Sequence, residues 1–224
     1  SGAVAGIAAL PRRLHDPQGL ASAAVVYRLR LAPGEEREID WRSRLEGAPP
    51  ARPPAGPAAA QVQAEVAAAW RARLDRVGFA VPPEARKLVA TLRTALAHIL
   101  ISRSGPRLQP GTRSYARAWI RDGAMIDDAL LRLGHARVAE DFVRWFAPYQ
   151  FASGKVPCCV DERGSDPVPE NDSHGQLIHA IAEVYRYTGD RAFLAAMWPH
   201  VQGAVAYMEQ LRLSERTEAN RARD

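Results

Sequence analysis

The chain has 224 residues, 47% of them hydrophobic and 25% charged, with a formal net charge of +5. That length holds one full domain or one and a half, and a composition this apolar excludes disorder throughout. Only Lys87 and Lys155 are lysines, so 30 − 2 = 28 of the basic residues are arginines, and these are scattered rather than clustered.

A nucleic-acid footprint needs a basic stripe with aromatic platforms, which the sequence lacks, so no nucleic-acid partner is expected. Abundant Arg and Ala with few Lys fits a GC-rich coding sequence. There is no apolar run of 18 residues, and residues 1–10 lack a basic segment. Neither a membrane partner nor a signal peptide is therefore expected, and the cytoplasm is the expected compartment. The first residue is Ser1 rather than Met, as in a processed or excised piece.

In chain order, Ala24–Leu31, Pro33-Gly34 and Glu38–Trp41 read as a strand, a tight turn and a second strand. One hairpin is not a stable domain, so residues 1–47 are expected to be part of a larger unit. Prolines at 49, 50, 53, 54 and 57 make a stiff linker. Val62, Val66, Ala69, Trp70, Leu74 and Val77 then recur at helical spacing, so residues 48–83 are a linker plus a connector helix.

Residues 84–224 are expected to be helical. Leu88, Leu92, Leu96, Ile99 and Leu100 form an apolar stripe ending near Ser102; helices follow over 122–133, 138–149, 173–187 and 191 to about 213. Gly134-His135 and Thr188-Gly189-Asp190 are connections short enough to demand antiparallel neighbours. Trp70, Trp145 and Trp198 fall on apolar stripes and are assigned to the core. The segment from Gln150 to Asn171 is a long loop of the kind that usually carries function. It contains Cys158-Cys159, neighbours whose disulfide would be strained, and they are read as free thiols.

Two stretches carry chemistry. Tyr115-Ala116-Arg117-Ala118-Trp119-Ile120-Arg121-Asp122 sets aromatics, arginines and a carboxylate where an extended segment turns into a helix. Aromatic rings lie against the apolar face of a pyranose, while Arg and Asp sort its hydroxyls into acceptors and donors. Glu170-Asn171-Asp172-Ser173-His174 sets a second acidic helix start 50 residues later.

Each feature has a plainer explanation. Asp122 and Asp172 are suited to capping helices, and Ser173 with Gln176 fits a capping box that would release Asp172. Arg121 also has Asp127 and Asp128 within two helical turns, Glu170 can be an ordinary loop charge, and a lone His174 is usually structural. Alternation along an extended segment would put Tyr115, Arg117, Trp119 and Arg121 on one face. Asp161, Glu162 and Asp166 lack the spacing of a calcium loop, so no metal and no cofactor are expected.

The order Tyr-x-x-x-Trp-x-Arg-Asp, an Asp-Ser helix start and Tyr-x-x-Thr-Gly-Asp at a helix end resembles the six-hairpin glycosidases, most closely their glucoamylase-like branch, across roughly residues 84–213. The resemblance implies a mainly α fold, the first part of an (α/α)6 barrel over residues 84–224, preceded over residues 1–47 by the C-terminal strands of a β-sandwich. It also implies inverting hydrolysis of an α-linked glucoside or related glycan by a bacterial enzyme, with an oligosaccharide or glycoside partner. Tyr115, Trp119, Arg121, Asp122, Glu170, Asp172 and His174 become the expected substrate contacts, Arg121 and Asp122 matching the pair that holds the terminal sugar.

That chemistry uses two glutamates in motifs that this sequence lacks, so the acid and base are not assigned. A non-catalytic sugar-binding protein on the same barrel is the alternative, as is a sugar phosphorylase or epimerase. Five helices are about half a barrel, and the remaining helices are expected from further sequence or from another chain.

Overall fold

The computed structural model describes residue 15 and residues 17–18, 24–39 and 59–222. It divides into two compact units, residues 1–61 and 62–224. In the first unit, the backbone N–H of Glu35 donates to Ala32 O at 3.0 Å across the Pro33-Gly34 turn, and Gly34 has φ +79°. The turn forms as expected. The flanking residues 24–32 and 35–39 are in no strand, while Asp40 and Trp41 of the expected second strand lie outside the described residues.

The second unit is mainly helical, its first helix beginning at the end of the first unit. Its longer helices are α1 (Ala59–Leu74), α2 (Arg86–Ser102), α3 (Ile120–Arg132), α4 (Ala136–Phe146), α5 (Ser173–Thr188) and α6 (Arg191–Ser214), followed by a single turn, α7 (Glu218–Arg221). Each of the five expected over 84–213 is present. In place of an unstructured long loop, β2 (Cys159–Asp161) pairs antiparallel with β1 (Ala118–Trp119) and with β3 (Gly164–Ser165). Strands this short carry no periodic signal, which is why residue pattern does not announce them.

The core is a stripe on each helix. Ile120, Ala124, Leu130 and Leu131 of α3 meet Phe142, Val143 and Phe146 of α4 and Leu177, Ile181 and Val184 of α5. Phe193, Met197 and Ala204 supply the buried side of α6. Trp198, expected in the core, is half exposed instead, because it sits one residue beyond that stripe. Trp145 packs against the core from its edge. Two close approaches require glycine. A Cβ on Gly123 would lie 2.2 Å from the Phe142 ring, and one on Gly154, at φ +87°, would lie 2.2 Å from Gly203 O.

The connections hold because their polar groups are answered. Asp190 caps α6 by accepting from the N–H groups of Ala192 and Phe193 at 2.8 and 3.0 Å. The buried imidazole of His135 bonds Arg73 O through Nε2 at 3.0 Å, and Arg76 donates to Gly134 O at 2.9 Å. Together they tie the end of α1 to the α3–α4 turn.

Among the described residues one buried carboxylate is left unanswered. Asp127 of α3 is fully buried and neither carboxylate oxygen has a hydrogen-bond partner. Desolvation, reinforced by the neighbouring charge of Asp128, raises its pKa well above the ordinary 3.8. A group with a raised folded-state pKa contributes its stability below the unfolded value, and that stability is lost as pH rises through the folded one. Thermal melts of the wild type should therefore show stability falling as pH rises above about 3.8, and Asp127→Asn should flatten that slope. The slope is the signature, because Asn has no proton to release between the folded and unfolded states. Gly123→Ala should destabilise at every pH by about 1–3 kcal/mol, through overpacking against Phe142.

Candidate functional site

The segment expected to be one extended run is broken. Arg113–Tyr115 is a 3-10 turn, only Ala118 and Trp119 are paired in a strand, and α3 already begins at Ile120. Alternation therefore does not order the whole segment, yet its aromatic residues still meet. The Tyr115 and Trp119 rings lie 6.1 Å apart, tilted by 48°, and the Arg117 guanidinium sits 5.5 Å over the Trp119 ring. Tyr115 is largely exposed and Trp119 half-buried.

Arg117 is a structural tie. It donates to Asp166 at 2.6 Å and lies 2.9 Å from an Asp161 oxygen, which anchors the helix start to the small sheet. The Asp166 hydrogen bond raises the pKa of Arg117, and the same bond lowers that of Asp166. Cys158 and Cys159 lie beside this tie, both buried, with their Sγ atoms 3.3 Å apart. These sulfurs and an Asp166 oxygen fall within 4.8 Å of one another, a spacing open to a metal ion. Arg117 already neutralises Asp166, however, and burial pushes the Cys159 thiol up to about 12, so it stays protonated at neutral pH.

Arg121 forms the second tie, and it spans two helices. Its Nε donates to Asp172 Oδ2 at 2.6 Å, and its Nη2 donates to Asp172 Oδ1 at 2.9 Å and to Glu170 Oε2 at 2.6 Å. A fork that meets one carboxylate with two nitrogens fixes direction as well as distance. The bond to Asp172 raises the pKa of Arg121 and lowers that of Asp172. A further contact lies one heptad on, where His179 Nε2 is 3.3 Å from both Asp128 oxygens. Both contacts join residues 51 apart. A constant offset over seven residues, about 10 Å of helix rise, is the register of parallel helices, so α3 and α5 start at the same end of the unit.

Neither expected cap forms in the expected way. Asp122 lies inside the first turn of α3, whose N-cap is Trp119, and makes no capping bond. Asp172 occupies the N-cap position of α5, but its side chain is turned to Arg121. The capping box is absent as well. Ser173 Oγ is buried without a partner, and the Gln176 N–H bonds Asp172 O at 3.0 Å in the ordinary helical manner.

His174, expected to touch substrate, is instead buried inside the fold. Its Nδ1 accepts from the Val156 N–H at 3.1 Å, and its ring stands edge-on to Tyr207 with centroids 4.9 Å apart. Desolvation lowers its pKa, which keeps the ring neutral and able to accept that bond.

Two concavities open near these residues. One, of about 540 Å³, is lined by Asn171, Asp172, Gly175, Gln176, His179 and Met208. The other, of about 510 Å³, includes Asp122 with residues of α2 and the loop before α3. The structure thus brings Arg121, Glu170 and Asp172 into contact and places Asp122 and Asp172 on different hollows. Gln109, in the second hollow, was not singled out from sequence, because one polar residue in an irregular loop carries no pattern.

No family model matches the chain, and no solved structure matches it. It is 26% identical over 157 residues to an uncharacterized glycosyl hydrolase of the archaeon Methanocaldococcus jannaschii, a match covering 65% of this chain and 25% of that relative. The similarity is distant, and the chain spans about a quarter of that relative's length.

The Arg121 tie lends itself to a double-mutant cycle. Its side chains are 46% and 41% exposed, so solvent screens the pair. Arg121→Ala and Asp172→Asn should show a coupling of about 0.2–1 kcal/mol in denaturant melts. Because the Asp172 pKa is lowered, that coupling should be present at neutral pH and vanish as pH falls below the ordinary carboxylate range.

Proposed function

We propose that this chain is part of a glycosidase-like protein that contacts an α-linked glucoside or related glycan, with inverting hydrolysis as the reaction of the complete assembly. The supporting observation is the Arg121–Glu170–Asp172 cluster, which joins two helix starts 51 residues apart, with the partly exposed Tyr115–Trp119 pair just ahead of Arg121 in the chain. A fixed guanidinium and fixed carboxylates offer donors and acceptors in set directions, the chemistry needed by a ring of hydroxyls. The name carried by the distant relative points to the same class.

In this reading Trp119 and Tyr115 offer faces to sugar C–H groups, while Arg121, Asp122, Glu170 and Asp172 engage hydroxyls. The (α/α)6 architecture is part of the same proposal, with the helices needed to complete a barrel coming from further sequence or from another chain.

Catalysis by inversion needs one carboxylic acid and one carboxylate across the sugar, roughly 6.5–9.5 Å apart. Asp172 is held ionised by its hydrogen bonds to Arg121, so it is not poised to donate a proton. This observation favours a second reading, in which these residues bind sugar without turning it over.

Calorimetric titration with a series of gluco-oligosaccharides addresses both. Arg121→Lys keeps the charge but loses the fork, and it should weaken binding about tenfold while leaving the melting temperature nearly unchanged. Equal affinity in the wild type and Arg121→Lys would remove the cluster from the site. Turnover that releases the opposite anomer, followed by proton NMR, would favour the hydrolase; binding without any turnover would favour the second reading.

A further inference from the structure

Cys158 and Cys159 are the two cysteines of the chain, and both are buried. Successive side chains along a strand point to opposite faces, yet here they converge: Cys158 stands just ahead of β2, and the two Sγ atoms lie 3.3 Å apart. The backbone fixes that arrangement on both flanks. The Cys158 carbonyl accepts from the Ile120 N–H at 3.0 Å, Cys159 pairs with Trp119, and the Cys159 carbonyl accepts from the Asp166 N–H at 3.0 Å. The sulfurs also have a polar cover. Asp166 Oδ2 lies 3.9 Å from Cys159 Sγ and 2.6 Å from Arg117 Nη2, and the side chains of that ion pair are 20% and 24% exposed.

The surrounding charge selects against a cation. Arg117 and Arg163 answer Asp161 and Asp166 through ion pairs of 2.6–2.9 Å, two positive groups against two negative. A divalent ion would enter beside a guanidinium with both carboxylates already taken, which is costly in a place shielded from water. The spacing of the sulfurs points the same way. An atom bonded to both at about 2.3 Å, the length of a zinc–thiolate bond, would see them at an angle of about 90°, narrower than the tetrahedral angle of a structural zinc site. That angle belongs to a pyramidal centre bonding through p orbitals, as trivalent arsenic does.

We infer that Cys158 and Cys159 form a binding site for a monosubstituted arsenic(III) compound, R–As=O, a soft and neutral centre matched to two adjacent thiols. Binding is a condensation: two As–S bonds form, the As=O bond breaks, and both thiol protons leave with that oxygen as water. Arsenic stays trivalent throughout, so the step needs no oxidant or reductant. The adduct carries no charge into the buried site, and carbon fills the third valence because the chain has no third cysteine. Neither cysteine lines a hollow near the Arg121 cluster, so the site is independent of the glycan reading.

The probe is phenylarsine oxide, added to the folded full chain and followed by native mass spectrometry with thermal melts alongside. One adduct per chain should form, heavier by phenylarsine oxide less one water, and the melting temperature should rise because the folded state binds. The urea-unfolded chain, whose thiols are no longer held together, should bind about tenfold more weakly. Excess 2,3-dimercaptopropanol should strip the adduct, while the same concentration of a monothiol should not. Cys158→Ala and Cys159→Ala should each weaken binding at least about tenfold, and either one answers the question should the other fail to fold. An excess of zinc chloride should leave the adduct in place.

No adduct on the folded wild type, equal affinity in the folded and unfolded chain, or an adduct that forms as tightly in the single variants would overturn the inference. Displacement of phenylarsine oxide by zinc chloride would also overturn it, making the pair a cation site. None of these readouts involves a sugar, so failure here leaves the Arg121 cluster untouched, and failure there leaves the thiol pair untouched.

Discussion

The forked ion pair from Arg121 to Asp172 is the interaction on which the arrangement of the whole candidate site depends. It is the point at which α3, leaving a short sheet, meets α5, leaving a long connection, and it fixes the two helix starts at one end of the unit. The His179–Asp128 contact repeats the same offset one heptad further along, so the register is set by two polar contacts as well as by packing. In energy the exposed pair is small beside the buried stripe of Ile120, Leu130, Phe142 and Leu177. Its contribution is direction: apolar burial brings the helices together, and the fork decides which carboxylates face the same edge.

Around that point the long connection behaves as a framework. Gln150 donates to Gly154 O and His200 O, and its other amide atom meets His200 Nδ1 at 2.9 Å, fastening the segment to α6. Gly154 then lies so close to Gly203 that no side chain fits between them. Arg117, Asp161 and Asp166 fasten the middle of the same segment to the start of α3, and His174 fastens Val156 to α5. With so many anchors the carboxylates of residues 170–172 are presented from a firm base, which is what positioning a polar ligand requires.

How much of this could be read from residues alone varies with the physics involved. The helices were legible because Leu88 to Leu100, or Leu177 to Val184, repeat at a spacing that only a helix presents on one side. The Arg121–Asp172 contact was not legible, because both residues stand at helix starts but residue pattern names no partner 51 positions away. The burial of His174 was not either, since a histidine after an acidic residue looks the same whether its ring turns inward or outward. Trp198 was misplaced by a single residue of helical phase. The small sheet depended on pairing between Trp119 and Cys159, 40 positions apart, and two-residue strands have no period to detect.

The central claim is that the edge shared by α3 and α5 holds a glycan. It is tested most directly by amide, indole and guanidinium resonances of the labelled protein during titration with maltotriose. The account predicts saturable shifts in the Arg121 Nε–H and the Trp119 indole N–H, together with backbone amides of residues 119–122 and 170–172. Saturable shifts confined to other surfaces, with the Arg121 and Trp119 signals unmoved, would contradict it.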